Sequence, residues 1–318
     1  MTTLAASGRS RIAFWAVVVA ILVALPPVAT ALQQPFYLDL VRRVMIFAIA
    51  AASLNLILGY GGLVSFGHAA YLGVGGYAVG ILAFYGTNNG WLQWGTAIGA
   101  SALVAFVIGA VSIRTSGIYF IMITLAFTQM MYYLGISLEE FGGDDGMRIK
   151  MRSQFTGLVD LADPITFYYV VLVLMLATIY LVHRLANSRF GMVLRATKSN
   201  ETRSRAIGFS PYAYRLAAFT IAGALCGLAG ALLANHTSYI TPDFMHWTRS
   251  GEIMFMVILG GIATAAGPLL GALTFLLLET VLSGWTAHWQ IILGPLFVLS
   301  VIFFRRGLAG AIPGARDV

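Results

Sequence analysis

Long apolar runs, interrupted by short polar or glycine-bearing breaks, fill this chain almost from end to end. They predict membrane spans near residues 12 to 32, 37 to 58, 67 to 85, 94 to 113, 117 to 138, 165 to 185, 212 to 234, 251 to 263, 266 to 284 and 288 to 304. A helix that crosses a bilayer needs about 20 apolar residues, so the run at 251 to 263 is the short one. The expected fold is all-α: a polytopic membrane helical bundle of about ten spans, with discontinuous helices and a candidate inverted repeat. The whole length, 1 to 318, reads as one transmembrane domain.

Composition agrees with the pattern and removes alternatives. Of 318 residues, 59% are hydrophobic and 10% charged, with a mean hydropathy of +0.85. A soluble domain is about half apolar and a quarter charged. The 35 glycines lie mostly inside apolar runs. Four pairs, Gly76 with Gly80, Gly95 with Gly99, Gly223 with Gly227 and Gly267 with Gly271, have the spacing that lets helix backbones approach in lipid. A lone cysteine, Cys226, excludes an intramolecular disulfide and leaves no cysteine cluster for a metal.

The formal charge of +7 raises nucleic acid as a partner, but the placement of the charges favours the bilayer. With the amino terminus inside, Arg9, Arg11, Arg114, Arg184, Arg189, Arg195, Lys198, Arg203, Arg205, Arg215, Arg305, Arg306 and Arg316 all fall in cytoplasmic segments. Glu139, Glu140, Asp144, Asp145, Asp160 and Asp163 fall outside, in the loop 139 to 163. Positive charge gathers on the cytoplasmic side, so both termini are expected there. Trp91, Trp94, Tyr168, Tyr169, Trp247, Trp285 and Trp289 fall at predicted outer ends, where aromatic rings favour the interface. Arg42 and Arg43 are expected either to snorkel outward from the second span or to mark an interfacial start to it. A competing reading makes residues 1 to 31 a cleaved signal peptide, with Ala29-Thr30-Ala31 as its cleavage site; retention as a span is the expectation taken here.

Two stretches break the apolar runs with glycine: Gly59 through His68, and Gly260 through Pro268. Irregular backbone at membrane depth is tolerated only where protein or a water-filled cavity satisfies it, so both breaks point to a pathway. Candidate pathway groups are Asn55 and Ser65, flanking the first break, with His68 expected as a hydrogen-bonded helix-start residue, and Thr124, Thr128 and Gln129 on the fifth span. Threonine bonding its own helix backbone is the plain alternative. Ser65 and His68 lie three apart without a G-x-S-x-G setting, so no catalytic residue is assigned. Glu279 is the one carboxylate placed at membrane depth, near enough to the outer end to snorkel. An ion-coupled secondary transporter would need such a group, and it stands as an alternative.

Energy must come from elsewhere. A P-loop requires G-x-x-x-x-G-K-[ST], yet the only lysines, Lys150 and Lys198, follow Ile149 and Thr197. The most informative polar stretch is 187 to 211, between the spans at 165 to 185 and 212 to 234. Ser188 and Asn200 can cap two short helices, with Glu201 in the first turn of the second and Gly208 as a left-handed stop before Pro211. Phe190, Val193, Leu194 and Ile207 among basic residues suit docking to another protein, and a lipid-headgroup loop is the alternative.

The residues Asn55-Leu56-Ile57-Leu58-Gly59-Tyr60-Gly61-Gly62-Leu63-Val64-Ser65-Phe66-Gly67-His68-Ala69-Ala70-Tyr71, the 187 to 211 stretch, and Met256 through Ile262 with Gly267-Pro268 resemble the LivM-type permease of branched-chain amino acid ABC importers. The resemblance implies that Arg189, Phe190, Leu194, Arg195, Glu201, Arg203, Arg205, Ala206 and Gly208 belong to a region coupling the permease to its ATPase. It implies a bacterial inner-membrane subunit with no cofactor of its own, ATP being bound by two partner subunits. A second, LivH-like permease subunit and an extracytoplasmic amino-acid-binding protein would complete the assembly, the latter landing on 139 to 163. Permeases of the same family for urea or short amides are the nearest alternative.

Overall fold

A computed structural model describes residues 2–155, 160–286, 288–303 and 307–311; Arg305, Arg306 and Arg316 lie outside them. The chain forms α1 (Thr2–Ala31), α2 (Pro35–Asn55), a π-helical turn (Leu56–Tyr60), α3 (His68–Phe84), α4 (Gly90–Ser112), α5 (Ile118–Ser137) and α6 (Pro164–Ala186). Then follow the short α7 (Arg189–Ser199) and α8 (Glu201–Ala206), and α9 (Pro211–Thr237), α10 (Trp247–Gly260), α11 (Gly267–Trp285), α12 (Trp289–Phe303) and α13 (Gly307–Ala311). Two-residue strands β1 (Met147–Arg148) and β2 (Tyr239–Ile240) pair antiparallel, with Met147 opposite Ile240. Each expected apolar run coincides with a helix of this polytopic bundle.

Among the described residues, seven helices are long and apolar enough to cross a membrane. α3 and α10, at 17 and 14 residues, are not. At 1.5 Å per residue they span roughly 25 and 21 Å, short of a hydrocarbon core of about 30 Å. Their starts therefore lie inside the bundle.

At the centre stands α2, whose residues Val44 through Ala52 are buried on every side. A helix apolar all round belongs in the middle of a bundle. Glycine sets how closely its neighbours approach. A Cβ on Gly227 of α9 would come within 2.9 Å of the Ala97 carbonyl, and one on Gly230 within 3.0 Å of Gly76 N. At the α10–α11 hairpin a Cβ on Gly271 would stand 3.0 Å from Gly260 N. Gly95 and Gly99 behave differently: nothing lies within 4 Å of either position, so this pair packs no helix of the described chain.

The expectation that Arg42 and Arg43 snorkel is corrected. Arg42 is buried, donates to Asp39 Oδ1 at 2.8 Å and lies 5.8 Å from the Phe167 ring centroid. Arg43 crosses to α11, donating to Glu279 Oε1 and Oε2 at 3.0 and 3.2 Å. A cation and an anion at similar depth satisfy each other, so neither needs to reach the interface, and Glu279 is a paired group rather than a free carboxylate.

Candidate functional site: a broken core and a basic elbow

Two breaks enter the bundle from opposite ends and meet inside it. α2 ends near the short helices α7 and α8, because Lys198 of α7 donates to the Gly59 carbonyl at 2.7 Å. From this elbow end residues 61–67 climb to the start of α3. That start is deep: the His68 carbonyl accepts from Cys226 Sγ at 3.3 Å, and Cys226 lies fifteen residues along α9, roughly 22 Å from the helix's first turn. From the opposite end, residues 238–246 descend to α10. The two helix starts touch, with Ala69 N–H donating to Ser250 Oγ at 2.9 Å and the Phe66 and Trp247 rings 6.4 Å apart. Oppositely directed breaks are the relation an inverted repeat gives. Trp247 therefore sits against the break and not at the outer interface expected from sequence.

An irregular backbone at this depth needs partners, and side-chain hydroxyls supply them. Phe66 N–H donates to Thr124 Oγ1 at 3.2 Å, and Thr128 Oγ1 donates to the Phe66 carbonyl at 2.9 Å. Gly67 N–H donates to Ser65 Oγ at 3.0 Å. Three of the sequence candidates thus converge on one peptide segment, where they hold the break. Thr124 and Thr128 also bond their own helix, to Ile121 O and Thr124 O. All three are buried to 1% exposure or less, so in this conformation they line no open path.

Asn55 is separated from that group. Its Oδ1 accepts from Ala263 N–H and its Nδ2 donates to the Thr264 carbonyl, both at 2.9 Å, so it staples the α10–α11 loop to the end of α2. His68 is fully buried, with neither ring nitrogen hydrogen-bonded, and packs edge-on against Tyr71 at 5.6 Å. Gln129 is half-buried and its Oε1 has no partner. Next to the break, Phe66 and Trp247 form one wall of a recess of about 590 Å³. Phe255, Phe275 and Phe297 line the rest, with Thr248, Glu252 and Gln290 as its polar members. Glu252 is held by Arg249 at 2.8 Å.

The elbow is built as its capping residues predict. Ser188 Oγ accepts from Gly191 N–H at the start of α7, Asn200 Oδ1 accepts from Arg203 N–H at the start of α8, and Gly208 adopts φ +91°. Glu201 ties the unit down, accepting from Arg205 at 2.5 Å and from Arg215 of α9 at 2.7 Å. Burial pushes the Glu201 carboxyl upward, but the Arg215 and Arg205 guanidiniums outweigh it and hold the group below the usual glutamate range. Arg215 also reaches the Thr197 carbonyl at 3.3 Å.

Of the residues expected to meet a partner here, Arg189, Arg195, Arg203, Arg205, Ala206 and Gly208 are exposed. Leu194 is not: it is fully buried, and Val193 nearly so. Phe190 packs on Tyr214 at 5.6 Å. These apolar groups seat the elbow on the bundle, because α7 turns its apolar stripe toward α6 and α9. Met192, Ile207 and Phe209 are the large apolar side chains left outside. Sequence reading places Phe66 in the first break but misses its meeting with Trp247 and Ser250 and the Lys198 contact; a glycine-rich break followed by a short apolar run was the signal available.

Residues 36–301 match the family model described as branched-chain amino acid transport system, permease component. The chain is 27% identical to the high-affinity branched-chain amino acid transport system permease protein LivM of Escherichia coli, over 85% of this chain and 69% of that protein. It is 25% identical to the probable LivM of Methanocaldococcus jannaschii, over 81% and 85%. The autoinducer 2 import system permease protein LsrC of Yersinia pseudotuberculosis is 27% identical over 70% and 66%. No solved structure matches. A match over that length, on a polytopic bundle with two opposed breaks, makes this chain a multi-pass membrane protein of the branched-chain amino acid transport permease family.

Proposed function

We propose that the chain is the permease subunit of an ATP-driven importer of branched-chain amino acids, working with separate subunits that bind and hydrolyse ATP. The observation that carries this reading is the elbow: an ordered basic projection, clamped to α9 through Glu201 and Arg215, on a chain whose sequence lacks a P-loop. A bundle without a motor needs a surface on which an external one can push. The elbow faces the cytosol, both termini lie on that side, and residues 187–211 form the coupling segment of one transmembrane domain spanning the chain. The acidic loop 139–163 lies outside and receives a solute-binding protein, and a second permease subunit completes the pathway.

The aromatic recess beside Phe66 and Trp247 suits an aliphatic side chain, with Glu252, Thr248 and Gln290 near enough to its walls to meet charged ends. Transport proceeds by alternating access, in which closure of the ATPase pair displaces the elbow and exposes the breaks to one side at a time. Reconstitution of the chain with its copurifying subunits tests this. Leucine, isoleucine or valine, presented with the binding protein, should stimulate ATP turnover and enter the vesicle. Stimulation by autoinducer 2, urea or amides instead would keep the importer and replace the solute. Uptake by the chain alone, abolished by a protonophore, would replace it with an ion-coupled carrier.

A further inference from the structure

Three segments distant in sequence meet at the elbow end of α2. Lys198, the penultimate residue of α7, extends from an exposed position to the Gly59 carbonyl at 2.7 Å. Gly59 lies in the π-helical turn, four residues after Asn55. Asn55 in turn holds both Ala263 N–H and the Thr264 carbonyl. The three links are close-fitting. A Cβ on Gly59 would stand 2.8 Å from Ala263 N, and one on Gly62 would stand 2.8 Å from Lys198 Cγ. The loop they reach is strained, since Ala263 sits at φ +60°, a conformation non-glycine residues seldom adopt. Thr264 further organises it, donating to Gly261 O and accepting from Gly267 N–H.

We propose that Lys198 and Asn55 act as positioning residues in a relay, Lys198 passing displacement of the elbow to the π-turn and Asn55 passing it to the α10–α11 loop. The proposal rests on the coupling role given to the elbow above. Its physical basis is that, beyond its apolar seat, the elbow has two polar attachments of different kinds. Arg215 fixes it to α9, a continuous helix that runs the depth of the bundle. Lys198 fixes it to the end of a helix that is interrupted directly afterwards. A push on the elbow is resisted by the first attachment and transmitted by the second. Residues 61–67 lead from the pulled turn to Phe66, and residues 261–266 lead from the stapled loop into α11, so both breaks are driven from one point. A lysine that only satisfied a helix-end carbonyl would leave the α10–α11 loop out of the connection.

Hydrogen exchange on the full chain in lipid nanodiscs separates the two roles without any ATPase present. Gly62 and Leu63 amides, which donate to Leu58 O and Ile57 O, report on the turn, and the Ala263 amide reports on the far loop. Lys198→Ala should raise exchange at all three by about tenfold, the effect of losing one hydrogen bond's worth of protection. Asn55→Ala should raise it at Ala263, and Lys198→Arg, which keeps a cationic donor, should restore most of the protection. In the reconstituted complex Lys198→Ala and Asn55→Ala should each lower solute imported per ATP hydrolysed by about tenfold, and the double variant should fall no further than the worse single one. Exchange changes confined to Gly62 and Leu63, or a wild-type transport ratio in both single variants, would overturn the relay. A wild-type chain that moves solute with no ATPase would overturn the importer reading instead, whatever the exchange data show.

Discussion

Removing the hydroxyls that hold Phe66 should free the first break. Thr124→Val and Thr128→Val keep side-chain shape while deleting one acceptor and one donor. Without Thr124 Oγ1 the Phe66 N–H has no acceptor in a dry interior, at a cost of about 1 to 3 kcal/mol. The Thr128 hydroxyl carries one hydrogen and faces two carbonyls at 2.9 Å, Phe66 O and Thr124 O, so its loss costs less, about 0.5 to 1.5 kcal/mol. The double variant should therefore lose at most about 1.5 to 4.5 kcal/mol of local stability, an upper bound because both changes act on one peptide. That corresponds to a displaced loop populated up to roughly ten- to two-thousand-fold more often. The assay is exchange at the Phe66 amide in nanodiscs, read beside solute leak into vesicles in the absence of ATP. Thr124→Ser, which retains the oxygen, should stay near wild type. Wild-type protection of the Phe66 amide in Thr124→Val would refute the clamp.

Further outcomes follow from other parts of the bundle. Gly271→Val forces α11 away from Met256 and Gly260 and should lower the thermal midpoint in detergent, an overpacking cost of about 1 to 3 kcal/mol, whereas Gly95→Val and Gly99→Val should each stay within about 0.5 kcal/mol. Glu201→Arg replaces the clamp on Arg205 and Arg215 with repulsion, so less ATPase should copurify while membrane insertion, followed by fractionation, persists. The Glu201 carboxyl is held below its ordinary value of 4.5, so its contribution to seating the elbow is fully present above that value and is lost as pH falls through the lower folded value. Elbow proteolysis should accordingly be flat from neutrality down to the ordinary value and rise only in more acid buffer. Glu279→Gln leaves Arg43 with a weaker partner and should cost about 1 to 3 kcal/mol of stability, yet uptake should remain indifferent to a protonophore; uptake that becomes gradient-independent only in the variant would mark Glu279 as a proton relay.

What could be read from sequence was whatever is local. The apolar runs gave the helices, and Ser188, Asn200 and Gly208 gave the elbow, because caps and left-handed stops act within three or four residues. Contacts between remote residues were another matter. Thr124 meets Phe66 across 58 positions, Lys198 meets Gly59 across 139, and Arg43 meets Glu279 across 236. A helix apolar on all sides does not announce which face turns inward. The same glycine spacing accordingly packs tightly at Gly223 and Gly227 and against nothing in the described chain at Gly95 and Gly99. Leu194 was assigned outward for the converse reason: a short basic helix looks solvated until its apolar stripe finds a floor. Depth was illegible too, since the glycine-bearing stretches identified interruptions without locating where they meet.

The hydroxyl-satisfied peptide at Phe66 bears on how such a protein can reside in an energised membrane. Backbone left bare at that level would recruit a file of water molecules, and a file of water conducts protons. Ser65, Thr124 and Ser250 lend acceptor oxygens and Thr128 lends a hydroxyl hydrogen, so the interrupted backbone finds its partners within the protein. Peptide groups that already have protein partners give a file of water little to bind, so an interruption can sit at membrane depth without opening a route for protons.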